Sequence, residues 1–317
     1  MLRRFLLSAV DSPGIRRFTE NSRMARPLVD RFIAGESFED ALPVVRDLAQ
    51  DRCVSLDHLG ELTTDDSIVR DSVDIYREVL GKLSAEGLSR RVELSVKLSS
   101  LGSALTRDAF PATLAAAQEI CAAAEAAGTF VTVDMEGAGT TDLTLSIVRE
   151  LRRDFPQTGL VLQAHLHRTE TDCREFANAG ARVRLCKGAY QHPSSAVYAT
   201  RDEIRESYRR CLSILMSSEA YPMVATHDPV LINTATQLAE RTKCGGNDFE
   251  YQMFYGIRLN EQARLAESGA KLRVYVPFGT EWYPYFMRRL AEHPSNLFLL
   301  MQGEAAAGPR PARTHPS

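Results

Sequence analysis

FVTVDMEGAG, residues 130–139, carries the reading of the fold: a short apolar, β-branched run is followed at once by Asp134, Met135 and Glu136, then by glycines. Such a run reads as a buried strand, and its charged end marks where the strand leaves the core. Upstream, residues 108–127 have helical period, with Gly128 where a helix C-cap is expected. Gly137 and Gly139 resemble the start of a GxGxxG dinucleotide loop, but the third glycine position holds Asp142, so that motif is rejected.

The same unit recurs along the chain. Strand candidates lie at 52–57, 92–97, 130–134, 160–163, 182–186, 223–226, 249–252 and 272–276, separated by helical stretches such as 65–85, 108–127 and 196–218. Alternating strand and helix implies a parallel sheet. About eight units fit a closed (βα)8 barrel of the TIM type better than an open doubly wound sheet, which usually stops nearer five or six strands. Residues 1–51 are expected to form an N-terminal helical segment, 52–302 the barrel, and the Pro-, Ala- and Gly-rich 303–317 a disordered tail.

Composition narrows the partners. The chain has 317 residues, 44% hydrophobic and 25% charged, with a formal net charge of −3 and no clustering of Lys and Arg. A polyanion footprint is missing, which argues against nucleic acid. Six dispersed cysteines lack CxxC spacing and read as reduced thiols of a cytoplasmic protein. MLRRFLLSAV at the start opens like a signal peptide but has too short an apolar run and no small-residue cleavage pattern. It reads as a helix, with weak membrane contact left open, because no run approaches the roughly 20 apolar residues of a membrane span.

Chemistry-bearing residues gather at the strand ends: Asp57-His58, Lys97, Asp134 to Glu136, Gln163 to His165, Arg184 to Lys187, Thr226 to Asp228, Gln252 and Tyr275. In barrel enzymes this face holds the active site. Lys97, Arg184 and Lys187 would make it electropositive and suited to an anionic ligand, with Asp134 as partner to Lys97. Arg288-Arg289, within WYPYFMRRLA (282–291), offer a guanidinium fork for a carboxylate on a helix after the last strand. His165 and His167 could form a metal pair, but no carboxylate or cysteine set stands at ligand spacing, so no metal is expected.

Taken in order, LSVKLSSLG (94–102), VTVDMEG (131–137), LVLQA (160–164), VRLCKGAY (183–190), ATHD (225–228), YQMFYGIR (251–258) and YVPFGTEWYPYFMRRLAEHPSN (275–296) resemble the proline dehydrogenases, in particular their short monofunctional bacterial members. The resemblance implies a distorted (βα)8 barrel that binds FAD non-covalently and oxidises L-proline to Δ1-pyrroline-5-carboxylate, with a membrane quinone as electron acceptor and peripheral membrane contact. It places Lys97 and Asp134 as a substrate-side ion pair and Arg288 and Arg289 as the carboxylate clamp. Tyr190, Tyr275 and Tyr285 become pocket walls. Met135, Gln163, Arg184, Lys187, Gly188, Ala189, Thr226 and His227 fall on flavin-binding positions, with Arg184 near the reactive ring nitrogen. The chain departs from the commonest pattern at His165, often an aromatic such as Tyr, and at Cys186, usually Val. Competing readings of the residues are a Schiff-base aldolase using Lys97 or Lys187, a metal-dependent hydrolase using His165, His167 and His227, and a non-catalytic metabolite-binding protein.

Overall fold

The structure, a computed structural model, describes residues 14–292 apart from 15, 18, 20, 21, 23, 24, 61, 62, 64, 103–108, 138 and 191. The helix expected at the extreme N-terminus and the tail expected at 303–317 lie outside the described residues. Two helices, α1 (Arg26–Phe32) and α2 (Phe38–Leu48), precede the first strand. Then strand and helix alternate: β1 (Cys53–His58), α3 (Asp66–Ala85), β2 (Val92–Val96), α4 (Phe110–Ala126), β3 (Val131–Val133), α5 (Thr141–Asp154), β4 (Gly159–Gln163) and α6 (Thr169–Asn178). The second half continues with β5 (Arg182–Cys186), α7 (Arg201–Met216), β6 (Tyr221–Ala225), α8 (Pro229–Thr242), β7 (Glu250–Phe254), α9 (Leu259–Glu267), β8 (Leu272–Phe278) and α10 (Trp282–Glu292). All neighbouring strands are parallel, and β8 closes the barrel on β1 in the register Cys53↔Arg273 to His58↔Phe278. The expected (βα)8 barrel with extra N-terminal helices is present.

Why these segments take these forms follows from local chemistry. Helix starts are marked by side chains that satisfy free backbone N–H groups: Ser37 and Asp40 form a capping box on α2, Thr200 and Glu203 form another on α7, and Asp65 and Asp228 cap α3 and α8. The strands alternate. Val54, Leu56, Leu94, Val96, Leu160, Leu162, Val183, Leu185, Val274 and Val276 join the core shared with the helices. Each such side chain, fully buried, contributes on the order of 1.5–3 kcal/mol. Their neighbours along the strands, including Ser55, Glu93, Ser95, Arg182, Arg184, Glu250, Gln252 and Arg273, are buried polar or charged groups. The interior of this barrel is therefore largely polar, unlike the Val, Ile and Leu layers usual for the fold.

The last helix belongs to a different core. Trp282, Tyr283, Tyr285, Phe286, Met287 and Leu290 of α10 pack with Leu28, Val29 and Phe32 of α1, with Leu59, and with Tyr275, forming a second cluster. Phe32 and Phe286 lie 6.2 Å apart between ring centroids. At the turn leading into α10, Gly279 has φ +128 and a Cβ there would stand 2.6 Å from the Leu59 carbonyl oxygen, so only glycine lets the chain pass. The turn is also held by Gly279 N–H donating to Gly35 O at 3.0 Å and by Arg16 bonded to Glu281 at 2.9 and 3.0 Å. In this way Arg288 and Arg289 are carried on a helix braced by the N-terminal segment.

Candidate active site

Asp134 stands at the centre of the barrel mouth, just past β3. Its Oδ1 accepts from Arg184 Nη1 at 2.7 Å and from Ser95 Oγ at 2.8 Å, and its Oδ2 accepts from the Tyr275 hydroxyl at 2.8 Å. Burial, then Asp134 and Asp57, push the Tyr275 phenol well above its usual range, which keeps it a donor. The expected Lys97–Asp134 pair is present at 3.8 Å, but the closer partner of Lys97 is Asp57, with which it is hydrogen-bonded. Burial lowers the Lys97 pKa, yet Asp57 and Asp134 outweigh it and raise it. Lys97 is a fixed cation, not a nucleophilic amine.

The other expected cations are also met by carboxylates. Arg184, 4% exposed, bonds Asp134 and lies 3.3 Å from Glu93 Oε1. Lys187 Nζ and Arg205 Nε both bond Asp228 Oδ2, at 2.6 and 2.8 Å. Burial raises Asp228, but Lys187 and Arg205 outweigh it and hold the carboxyl at about 2. Each of the three cations expected to make the mouth electropositive, Lys97, Arg184 and Lys187, is thus ion-paired with at least one carboxylate.

Arg288 and Arg289 come to the same mouth from α10. The Arg289 guanidinium lies over the Phe254 ring at 4.1 Å and near Tyr285 at 5.3 Å, and that of Arg288 lies 5.9 Å from the Tyr190 ring. Phe254 in turn packs edge-on against Tyr275. Aromatic rings thus lie within about 6 Å of both guanidinium groups, a contact that suits arginine better than lysine.

On the opposite wall, β4 and β5 form a cradle. Gln163 donates its amide N–H to Glu136 O at 3.1 Å, while its carbonyl oxygen is buried without a hydrogen-bond partner among the described residues. His165 Nδ1 lies 2.9 Å from the Lys187 carbonyl, which can only accept, so Nδ1 carries the proton and the buried Nε2 is an acceptor, likewise without partner. Gly188 follows with φ +99, where a Cβ would fall 1.5 Å from His165 Nδ1. Met135 is buried in the main core, Ala189 is exposed, and Thr226 Oγ1 accepts from Asp228 N–H at 3.1 Å. His227 Nε2 already accepts from Phe254 N–H at 2.9 Å. A flavin's ring N–H and ribityl hydroxyls are donors that match the two orphan acceptors, so the cradle's donor and acceptor set fits that group.

Comparison with known proteins settles the family. The family model described as "Proline dehydrogenase" matches residues 41–300. The chain belongs to the proline dehydrogenase family. It is 33% identical over 306 residues to "Proline dehydrogenase" of Deinococcus radiodurans, covering 96% of this chain and 97% of that one. "Proline dehydrogenase 2" of Bacillus subtilis is 32% identical over 280 residues, 88% of this chain and 91% of the relative. Among solved structures, proline utilization A from Bdellovibrio bacteriovorus superposes with a TM-score of 0.80 at 24% identity over 89% of this chain, which shows a shared fold. The chain spans 34% of that longer protein.

For this proline dehydrogenase family member, the structure adds residues that sequence reasoning did not assign. Asp57 is the nearer partner of Lys97, Ser95 shares Asp134, and Glu136 accepts from Ser99 N–H at 3.1 Å and from its hydroxyl. The three histidines weighed as a metal set are not gathered: His165 faces His192, His167 faces Tyr198 and His227 stacks on Phe254. No group of three His, Cys, Asp or Glu among the described residues could hold a metal ion.

His58, beside Lys97, carries a testable consequence. Burial, then the Lys97 charge, lowers its pKa from 6.5 to about 4. Between these values the unfolded chain binds the proton and the folded one does not. Stability should therefore be full above about pH 6.5 and decline toward pH 4, by at most about 1.4 kcal/mol per pH unit from this group. Urea midpoints measured across that range should show this component vanish in His58→Gln; an unaltered slope contradicts it.

Proposed function

We propose that the chain oxidises L-proline to Δ1-pyrroline-5-carboxylate, with FAD held non-covalently at the barrel mouth and a membrane quinone as the eventual electron acceptor. The observation that carries this reading is the convergence, at one mouth, of the Asp57–Lys97–Asp134–Arg184 cluster with the aromatic-backed Arg288 and Arg289. The net change is loss of a hydride from the ring carbon beside nitrogen and of a proton from nitrogen, leaving a C=N bond. FAD, when bound, supplies the hydride-accepting ring.

The chain's own residues do the rest. Arg288 and Arg289 grip the carboxylate, and Tyr275, Tyr285 and Tyr190 wall the pyrrolidine ring, fixing a near-attack geometry. Lys97, held charged by Asp57 and Asp134, favours the neutral amine by like-charge repulsion, and a neutral amine has the lone pair that assists hydride departure. Asp134 orients Lys97. Arg184 places fixed positive charge where negative charge develops. Met135, Gln163, Lys187, Gly188, Ala189, Thr226 and His227 form the cofactor cradle. The Schiff-base alternative needs a lysine with a lowered pKa, and Lys97 is displaced the other way.

Residues 52–302 would form the catalytic domain and 1–51 a helical segment in front of it, in a cytoplasmic protein with peripheral contact at the inner membrane face. Among the described residues no helix is long and apolar enough to cross a membrane. Mass spectrometry of the product tests the reaction: FAD-reconstituted protein with an artificial acceptor should convert L-proline to a species lighter by two hydrogens. Unaltered proline contradicts the reading.

A further inference from the structure

Below the mouth, Arg184 is saturated. A guanidinium has five N–H groups, and this one meets five acceptors: Nε bonds Gln252 Oε1 at 2.6 Å, Nη1 bonds Ser95 Oγ and Asp134 Oδ1, each at 2.7 Å, and Nη2 meets Ser55 Oγ at 3.0 Å and Glu93 Oε1 at 3.3 Å. Among these acceptors Gln252 is the one amide, and its orientation is dictated. Its amide can present oxygen or nitrogen to Arg184, and only oxygen accepts. Glu250 settles the choice, because its Oε1 accepts from Gln252 Nε2 at 2.7 Å and a carboxylate cannot donate.

Glu250 is in turn fixed as an anion. Arg273 bonds it at 2.6 and 3.1 Å, and Tyr221 donates to it at 3.1 Å. Burial raises Glu250, but Arg273 and Arg182 outweigh it and hold the carboxyl at about 2. Glu250, Gln252, Arg273 and Arg184 are all buried, so water cannot substitute for a lost partner. A continuous relay therefore runs Arg273–Glu250–Gln252–Arg184–Asp134 from β8 and β7 across to β5 and β3.

We infer that Gln252, held by the Glu250–Arg273 pair, is a positioning residue that sets the Arg184 guanidinium and through it Asp134. It touches neither substrate nor cofactor in this account, which rests on the function proposed above. Without the Gln252 oxygen, Nε becomes a buried donor with no acceptor, and the fork turns to satisfy it, drawing Nη1 off Asp134. The carboxylate clamp on α10 is not part of the relay. The chemical step should suffer while proline affinity is spared.

The test compares Gln252→Leu with the exchange Glu250→Gln/Gln252→Glu, which keeps the relay's net charge and returns an acceptor to Arg184. In FAD-reconstituted protein, Gln252→Leu is expected to slow flavin bleaching at saturating proline by about tenfold or more, with KM altered less than about threefold, and the exchange to recover most of the rate. In the apoprotein, urea stabilities of Gln252→Leu, Arg184→Met and the double variant should be non-additive, since the second loss costs little once the first is made. A folded Gln252→Leu that bleaches at the wild-type rate overturns the inference, as does an exchange that bleaches as slowly as Gln252→Leu. If the wild type itself does not bleach with proline, the proposed reaction fails. The apoprotein cycle then decides the relay alone, with additive losses overturning it.

Discussion

Arg289→Lys is expected to raise KM for L-proline roughly ten- to a hundredfold, the scale of one or two hydrogen bonds to a charged group. The arginine is 5% exposed, and its guanidinium lies over Phe254, 4.1 Å from the ring centroid. Lysine keeps the charge but offers one ammonium in place of a planar fork, so bidentate contact with a carboxylate is lost. Arg288→Lys should act in the same direction, with a smaller effect, because Arg288 is half-buried and lies farther from its aromatic partner, at 5.9 Å from Tyr190. Steady-state kinetics on both variants checks this. An unchanged KM in both removes the clamp assignment.

Arg184→Ala is expected to slow the reductive half-reaction by about a hundredfold or more, the cost of removing a preorganised charge from a water-poor site. The same change takes from Asp134 its nearest cation, at 2.7 Å, while Glu93 keeps Arg182 at 2.7 Å, and breaking a buried pair costs on the order of 3–5 kcal/mol. Reduced stability and slow chemistry should therefore appear together, and the urea midpoint of the apoprotein separates them from the kinetics. Stopped-flow flavin reduction at the wild-type rate contradicts the role given to Arg184.

Much of the architecture was legible in the chain because each strand is a short apolar run closed by polar residues. The segment 182–186 coincides with β5, while 223–226 begins two residues after β6, where Tyr221 and Pro222 blur the apolar run. Helix α7 starts at Arg201 rather than near 196 because the Thr200–Glu203 capping box sets its first turn. The mouth residues were legible as strand ends. What escaped was the deeper barrel interior: Arg182 in RVRLC, Glu93 and Ser95 in VELSV, and Arg273 in LRVYVPF alternate with apolar neighbours. That period of two was the available signal. The Asp57–Lys97 pairing needed the β1–β2 register, which no local pattern supplies.

Whether this mouth holds a flavin and passes it a hydride from proline is read from the anaerobic absorbance spectrum of the FAD-reconstituted protein before and after L-proline is added. An oxidised-flavin spectrum that bleaches on addition of proline is expected. A bound flavin that stays oxidised with proline, or a protein that binds no FAD, contradicts it.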